Sequence, residues 1–517
     1  MNVESAIKNR GYELRWRLSM KGRKTVTEKP ADAEDILHTL ANVLEEHVQA
    51  QSWKKCLALT WLVLVRKAGH RHSGFAHKTM MAAPEWAELP RLAEQVSDAA
   101  GEQLIREILA NAPCMLLSVF DELVLNGFKD YGADASTLEA PIIYSSGVET
   151  LNLDPGDLHA LGLNADHVTI YAVEVRGAIA RLPTGYQRTH PYHYTPHCWI
   201  LPALLGRAEG DFTVSIEPAP SLHPDLHSIS ERNPRLLRVY LAEFISAPAY
   251  EAEWVNSSGG KAWIAKDIQN SGLIIDEAIE HLTRARSNFA DIVIFPELSF
   301  TKAIRERIAG WLRINNLAAD GAGGHLISLV VCGSSHGKDT DEKIWHNESR
   351  TLDSRGNEVI GLRQKKLTYV DLIIDGQKIF EGNTPSNVVR AVSSPLGLMA
   401  TVICLDLAQS QVSTAVPLRW LPLSFLWVPS LSGTVNPHIK QSEQLLTHLP
   451  TIVACANQGP VYFDGNDKAS QFPAGLSFLS VWHDNKPTTP APIDPKPGAG
   501  ITAWKLLEVP FGSVQKA

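Results

Sequence analysis

Short, wholly apolar runs recur through the second half of the chain, and they limit its fold more than any other feature. RLLRVYLAEF near Arg235, ADIVIFPELSF near Ala290, HLISLVVCGSS near His325, LGLMATVICLDL near Leu396, LSFLWVPS near Leu423 and LPTIVACANQG near Leu449 are too short to span a bilayer. They are also too continuous for a strand wetted on one face, and suit strands buried on both. Helical periodicity in GLIIDEAIEHLTRARSNFA and TKAIRERIAGWLRINN alternates with some of them, so a sheet covered by helices follows. The fold class expected is α/β.

The first half has a different texture, and the 517 residues are too many for one ordinary domain. Residues 1–30 carry eight basic and three acidic side chains and read as a solvated N-terminal arm, or as one that touches nucleic acid or an acidic partner. Residues 31–135 space Ile, Leu and Val three and four apart, as in DAEDILHTLANVLEEHVQ, and predict a helical domain. Within it KKCLALTWLVLVRK holds about ten apolar residues against the roughly 20 of a membrane span, and reads as a buried helix. Residues 136–230 turn to β-branched runs such as HVTIYAVEVRGAIARL and DFTVSIEP, a β-rich or α+β region. Residues 231–517 make the last domain, in which the proline-rich KPTTPAPIDPKPG precedes a final apolar stretch, ITAWKLLEV.

Charge and cysteine usage narrow the partners. With 48 basic and 56 acidic residues the chain carries −8 and has no bulk attraction to nucleic acid. Its six cysteines are scattered singly, without a CxxC pair, which favours a reducing compartment. The charged N-terminus lacks the pattern of a secretory leader, so a cytoplasmic location without membrane insertion is the expectation. His190, His193, His197 and Cys198, followed by His223 and His227, are of metal-binding types, but their spacing matches no tetrahedral site. The interleaved prolines and tyrosines fit a stiff aromatic loop, and neither a metal nor a cofactor is assigned. No GxxxxGK[ST] loop occurs.

Three strand ends carry polar residues that a core would not choose. Glu297 follows IVIFP, Lys365 or Lys366 ends VIGLRQKK, and Cys404 closes MATVIC before Asp406. Residues at strand ends of layered sheets converge on a common cleft. A carboxylate, an ammonium and a thiol meeting there would supply a base, an oxyanion stabiliser and a nucleophile. A thiol at a strand-to-helix turn beside an ammonium is also expected to have a lowered pKa.

In their order and spacing, 69 residues from Glu297 to Lys366 and 38 from Lys366 to Cys404, these segments resemble the nitrilase or carbon–nitrogen hydrolase superfamily. DIVIFPELSF, EVIGLRQKKLTYVD and GLMATVICLDL stand for its glutamate, lysine and cysteine segments, while HNESRTLDSRGNEVIG, WVPSLSG and VACANQGP resemble its intervening hairpin and later strands. The resemblance covers residues 236–509 and implies a four-layer αββα sandwich, commonly assembled as a homo-oligomer. It also implies hydrolysis of a small amide or nitrile through a cysteine thioester. Cys404 would be the nucleophile, Glu297 the acid and base, and Lys366 the oxyanion stabiliser with the N–H of Leu405. KLTYVD selects Lys366, whereas an ungapped count from EVIG selects Lys365. Glu381 in IFEGN is the candidate for a second, orienting glutamate. Leu405 stands where an aromatic is common and Ala408 where many members carry Arg, so no subfamily's substrate transfers. Asp406 is expected to cap the following helix.

Two other readings use the same residues: a catalytically silent scaffold or ligand sensor, and an acyl- or amidotransferase that keeps the thioester but changes the acceptor. In the hydrolase reading the front half gates substrate, regulates the hydrolase or binds a protein or nucleic-acid partner; in the scaffold reading the front half itself acts. Nitrilase-like domains fused to reverse transcriptases in bacterial antiviral systems point to a defence context. Tyr369-Val370-Asp371-Leu372 lacks the second Asp of a polymerase motif.

Overall fold

The structure is a computed structural model and describes residues within 33–67, 89–129, 148–174, 198–338, 344–458 and 477–488, with 462–463 and 505–510, shorter gaps inside these ranges excepted. The basic arm of residues 1–30, His190, His193, His197 and most of the proline-rich segment lie outside the described residues. The described residues fall into two compact units. No described helix is long and apolar enough to cross a membrane.

One unit comprises the described residues up to 129 together with 151–163. Its helices are Ala33–Gln49, Trp53–Trp61, Leu89–Ser97, Gly101–Asn111 and Pro113–Lys129. KKCLALTWLVLVRK is a buried helix: Trp53–Trp61 continues as a π-helical turn over Leu62–Lys67, with Cys56 to Leu59 fully covered. Trp53–Trp61 and Leu89–Ser97 both pack on Pro113–Lys129, with Trp53 stacked on Phe120. Asp154 accepts from the Gly156 N–H and starts the short helix Pro155–Ala160.

The other unit is mixed α/β and holds every apolar run of the second half as a strand. Six strands form one sheet in the order Gln364–Lys365, Trp345–Asp353, Leu329–Lys338, Ile292–Ile294, Leu236–Leu241, Lys505–Pro510. Eight form a second, in which Gly397–Thr401, Phe425–Leu431 and Ile452–Gln458 run parallel at the centre. The two sheets share a core: Val239, Ile292, Ile294 and Val331 of the first pack with Met399, Phe425 and Trp427 of the second. The helices Ser271–Ser287 and Lys302–Gly321 cover the first sheet's outer face, because Ile274, Ala278 and Leu282, and likewise Ile304, Ile308 and Leu312, recur on one stripe of each helix. Asn436–His448 covers the second through Leu445.

The boundary expected at 230/231 falls inside this unit. Phe212–Pro218 pairs in parallel with Val388–Ser394 in the eight-stranded sheet, a partner more than 170 positions away. Alternating burial marks Phe212–Pro218 as a strand but does not identify its neighbour. A separate five-stranded sheet includes Ala249–Ser257, Gly260–Ile268 and Gln377–Glu381, and the last of these strands delivers Glu381.

Gly333 shapes the glutamate turn. It sits at φ +59 in a bulge of Leu329–Lys338, and a Cβ there would collide with the Pro296 carbonyl and the Ser299 hydroxyl. Only glycine fits that conformation and that approach without strain.

Candidate active site

Glu297, Lys366, Glu381 and Cys404, separated by up to 107 positions in sequence, come together at one end of the facing sheets. Glu297 lies just beyond Ile292–Ile294, where Leu298 at φ +55 turns the chain. Its N–H donates to the Ser430 carbonyl (3.3 Å), and its Oε2 accepts the Leu431 N–H (3.1 Å). Cys404 follows Gly397–Thr401 at φ +44. A non-glycine residue on left-handed backbone costs about 1–3 kcal/mol, and such strain gathers where a side chain must be presented at a sharp angle. The Pro429 carbonyl accepts the Cys404 N–H (2.9 Å), and the Ser430 hydroxyl donates to Sγ (3.4 Å).

Lys366 is the lysine that enters. Its side chain is 1% exposed, and Nζ donates to Glu297 Oε1 and Glu381 Oε2, each at 2.7 Å. Lys365, one residue earlier in the strand, is half-buried and pairs in register with Glu348. Alternation along an extended chain sends the two side chains opposite ways. Leu405 opens the short helix Leu405–Ala408, where a first-turn N–H has no acceptor within the helix.

Three further residues stand at the site, and two of them organise the carboxylates. Asn347 Nδ2 donates to Glu297 Oε1 (2.9 Å) and Glu381 Oε1 (2.7 Å). His336 accepts the Ala265 N–H at Nδ1 (2.9 Å), so its proton sits on Nε2, which donates to Glu381 Oε1 (3.1 Å). His438, from Asn436–His448, lies against the Cys404 main chain, and neither ring nitrogen has a formed hydrogen bond among the described residues. Burial, with the Lys366 charge, outweighs the Cys404 contact and lowers His438 to about 4, so its ring is neutral at pH 7. Asn347 stood within HNESRTLDSRGNEVIG; the two histidines left no local signal, since tertiary pairing alone gives them partners.

The electrostatics separate the two glutamates. Burial acts to raise Glu381, but the Lys366 ammonium and the His336 hydrogen bond outweigh it and hold the carboxyl at about 2. Glu297 is displaced upward, by burial first and then by the Glu381 charge, against the pull of Lys366. Lys366 is held protonated: burial opposes its charge, and the two carboxylates more than compensate. Two carboxyl groups with pKa values driven apart are the arrangement in which one stays an anion while the other exchanges a proton.

Two expectations are corrected. The Cys404 thiol is not depressed but raised, by burial and by Glu297, against the smaller effects of Lys366 and Ser430. A covered sulfur cannot hold a resting charge beside a carboxylate. Asp406 does not cap the following helix but lies within it. Its carboxylate accepts from the Leu367 N–H (3.1 Å to each oxygen), the Thr368 hydroxyl (2.8 Å) and the Ile403 N–H (3.2 Å), tying the lysine segment to the cysteine turn.

No group of metal-ligand side chains is present among the described residues. No family model and no curated protein matches the chain. Among solved structures it is similar to an amidase from Nesterenkonia sp. (14% identity, TM-score 0.35, 53% of this chain and 90% of that one). It is likewise similar to Nit3 of Saccharomyces cerevisiae, a member of branch 10 of the nitrilase superfamily (12%, 0.36, 53% and 90%). A carbon–nitrogen hydrolase from Helicobacter pylori gives 10%, 0.35, 53% and 89%.

Proposed function

We propose that the C-terminal part of the chain, read as a four-layer αββα sandwich, hydrolyses a small amide or nitrile through a covalent thioester or thioimidate on Cys404. The observation that carries this reading is Lys366 Nζ held at 2.7 Å from both Glu297 and Glu381 beside a cysteine on left-handed backbone. Because the resting thiol is neutral, attack is coupled to transfer of its proton to Glu297, whose raised pKa suits it to accept and return one. As sulfur bonds to the substrate carbon, the developing oxyanion is met by the Lys366 ammonium and the Leu405 N–H. Glu297 then protonates the departing amine, and afterwards takes a proton from the water that cleaves the acyl-enzyme. Glu381 stays an anion and, with His336 and Asn347, fixes the ammonium and the working carboxylate.

Intact mass spectrometry of wild type and Glu297→Gln after incubation with a metabolite extract tests the reading. The expected result is an adduct that persists on the variant, maps to Cys404, and has a mass identifying the acyl half of the substrate. An adduct that clears only when an amine is added would indicate transfer instead of hydrolysis. A cysteine that stays unmodified in both proteins would favour the silent scaffold.

A further inference from the structure

The facing sheets are apolar over most of their shared area, but not in the row that leads away from Glu297. On Trp345–Asp353 the side chains of Asn347, Ser349 and Thr351 point inward. Thr351 stands beside Val331 of the inner core, while Glu348 and Arg350, in the opposite phase, pair with each other. The second sheet contributes Thr401, in register with Trp427 and two positions beyond the inner-core Met399. This strand lies over Gly397–Thr401, since the strands flanking it, Leu329–Lys338 and Gln364–Lys365, contact those flanking Gly397–Thr401, namely Phe425–Leu431 and Val388–Ser394.

All five residues are fully buried. Among the described residues Asn347 Oδ1, Ser349 Oγ, Thr351 Oγ1, Thr401 Oγ1 and Trp427 Nε1 have no hydrogen-bond partner. Isolated orphans of this kind are rare, and several lining one seam are what bound water satisfies. Successive inward side chains on a strand stand about 6.6 Å apart. Two waters in series, joined by bonds of about 2.8 Å, cover that span. The row ends at Asn347, whose Nδ2 donates to Glu297.

We infer that this seam is a water-binding site, a file of ordered waters between the two sheets that ends at Asn347 and supplies Glu297 with the water for deacylation. The second half of this inference rests on the thioester chemistry proposed above. An acyl group on Cys404 blocks the side from which substrate arrives, whereas water stored between the sheets need not pass it. As a water oxygen bonds to the thioester carbonyl carbon, Glu297 takes its proton. The carbon–sulfur bond then breaks, sulfur leaves with the electron pair and recovers the proton from Glu297, and a carboxylic acid and the free thiol result.

A high-resolution crystal structure of the full chain without substrate tests the site: waters bridging Asn347, Ser349, Thr351 and Thr401 are expected, and a dry seam overturns the inference. The near-isosteric combination Ser349→Ala, Thr351→Val and Thr401→Val tests delivery, with p-nitrophenyl acetate as the acyl donor. Acetylation of Cys404, read by intact mass, should proceed within about twofold of wild type, while loss of the acetyl group slows about tenfold. Hydroxylamine, which approaches from the substrate side, should restore release. A change in packing alone would not give that split or that rescue. Deacylation at the wild-type rate overturns delivery. Should the combined variant fold poorly, Ser349→Ala alone is expected to show the same split in smaller measure. Failure of wild type to be acetylated would refute the hydrolase reading, and the crystal structure would still decide the water site.

Discussion

The helical unit and the sheet unit each bury a cysteine, and the two sites share burial and a raised thiol but differ in what surrounds the sulfur. Cys56 lies in the middle of Trp53–Trp61 among Leu57, Ala58 and Leu59, and desolvation raises its thiol. Cys404 is also covered and also raised, but it sits on left-handed backbone with Glu297, Lys366, Ser430 and His438 around it. A buried thiol is thus no sign of reactivity. What distinguishes Cys404 is that a proton acceptor and a fixed cation are buried against it, an arrangement with an energetic cost of its own.

The largest test of this contrast is kinetic. Cys404→Ala should lower turnover by roughly 10⁴-fold or more, whereas Cys56→Ala should leave it unchanged; a comparable loss in both would mean that the helical unit takes part in the chemistry. Charge removal comes next. Lys366→Met leaves two buried carboxylates uncompensated and should cost about 3–5 kcal/mol in urea unfolding. Arg106→Ala, which breaks a partly exposed pair with Glu45 in the helical unit, should cost less than about 1 kcal/mol. Equal costs would erase the distinction between the two interiors.

Acid should separate the two units more gently. His281 and His438 are lowered to about 4, chiefly by burial, so their contribution is complete above the ordinary histidine value of 6.5 and is lost as pH falls through 4. Glu381, held at about 2, adds stability that is present above its ordinary 4.5 and disappears as pH drops toward 2. These three groups thus withdraw stability in two overlapping stages, by at most about 1.4 kcal/mol per pH unit for each, while Asp406, raised to about 7 by burial, acts in the opposite direction over the upper stage. Hydrogen exchange followed by peptide should show the sheet unit losing protection first, and His438→Gln should flatten the upper stage. Earlier loss in the helical unit would contradict these assignments.

How far the sequence could be read follows from which interactions are local. Ile292–Ile294 and Gly397–Thr401 announce themselves as uninterrupted apolar runs, and Glu297 and Cys404 stand out as polar residues at their ends. The choice of Lys366 over Lys365 needed the KLTYVD register, since both are lysines at one turn. His336 was not legible, because its meaning depends on the Ala265 N–H and Glu381, each more than 40 positions away. The direction of the Cys404 pKa is hidden from the sequence for a related reason: the segment order brings an ammonium near, but the depth of burial that raises the thiol is set by tertiary packing.

The polar bonds around Glu297 and Asp406 have a mechanical side. Glu297, from the first sheet, is bonded to Ser430 and Leu431 of the second, and Asp406 holds Leu367 and Thr368 against Ile403. Gln364 of the first sheet likewise donates to the Val388 carbonyl and accepts the Arg390 N–H of the second, while over most of the remaining area the sheets meet through apolar side chains. Layers slide least where directional bonds pin them, so thermal sliding of the two sheets is damped most where sulfur, ammonium and carboxyl group meet.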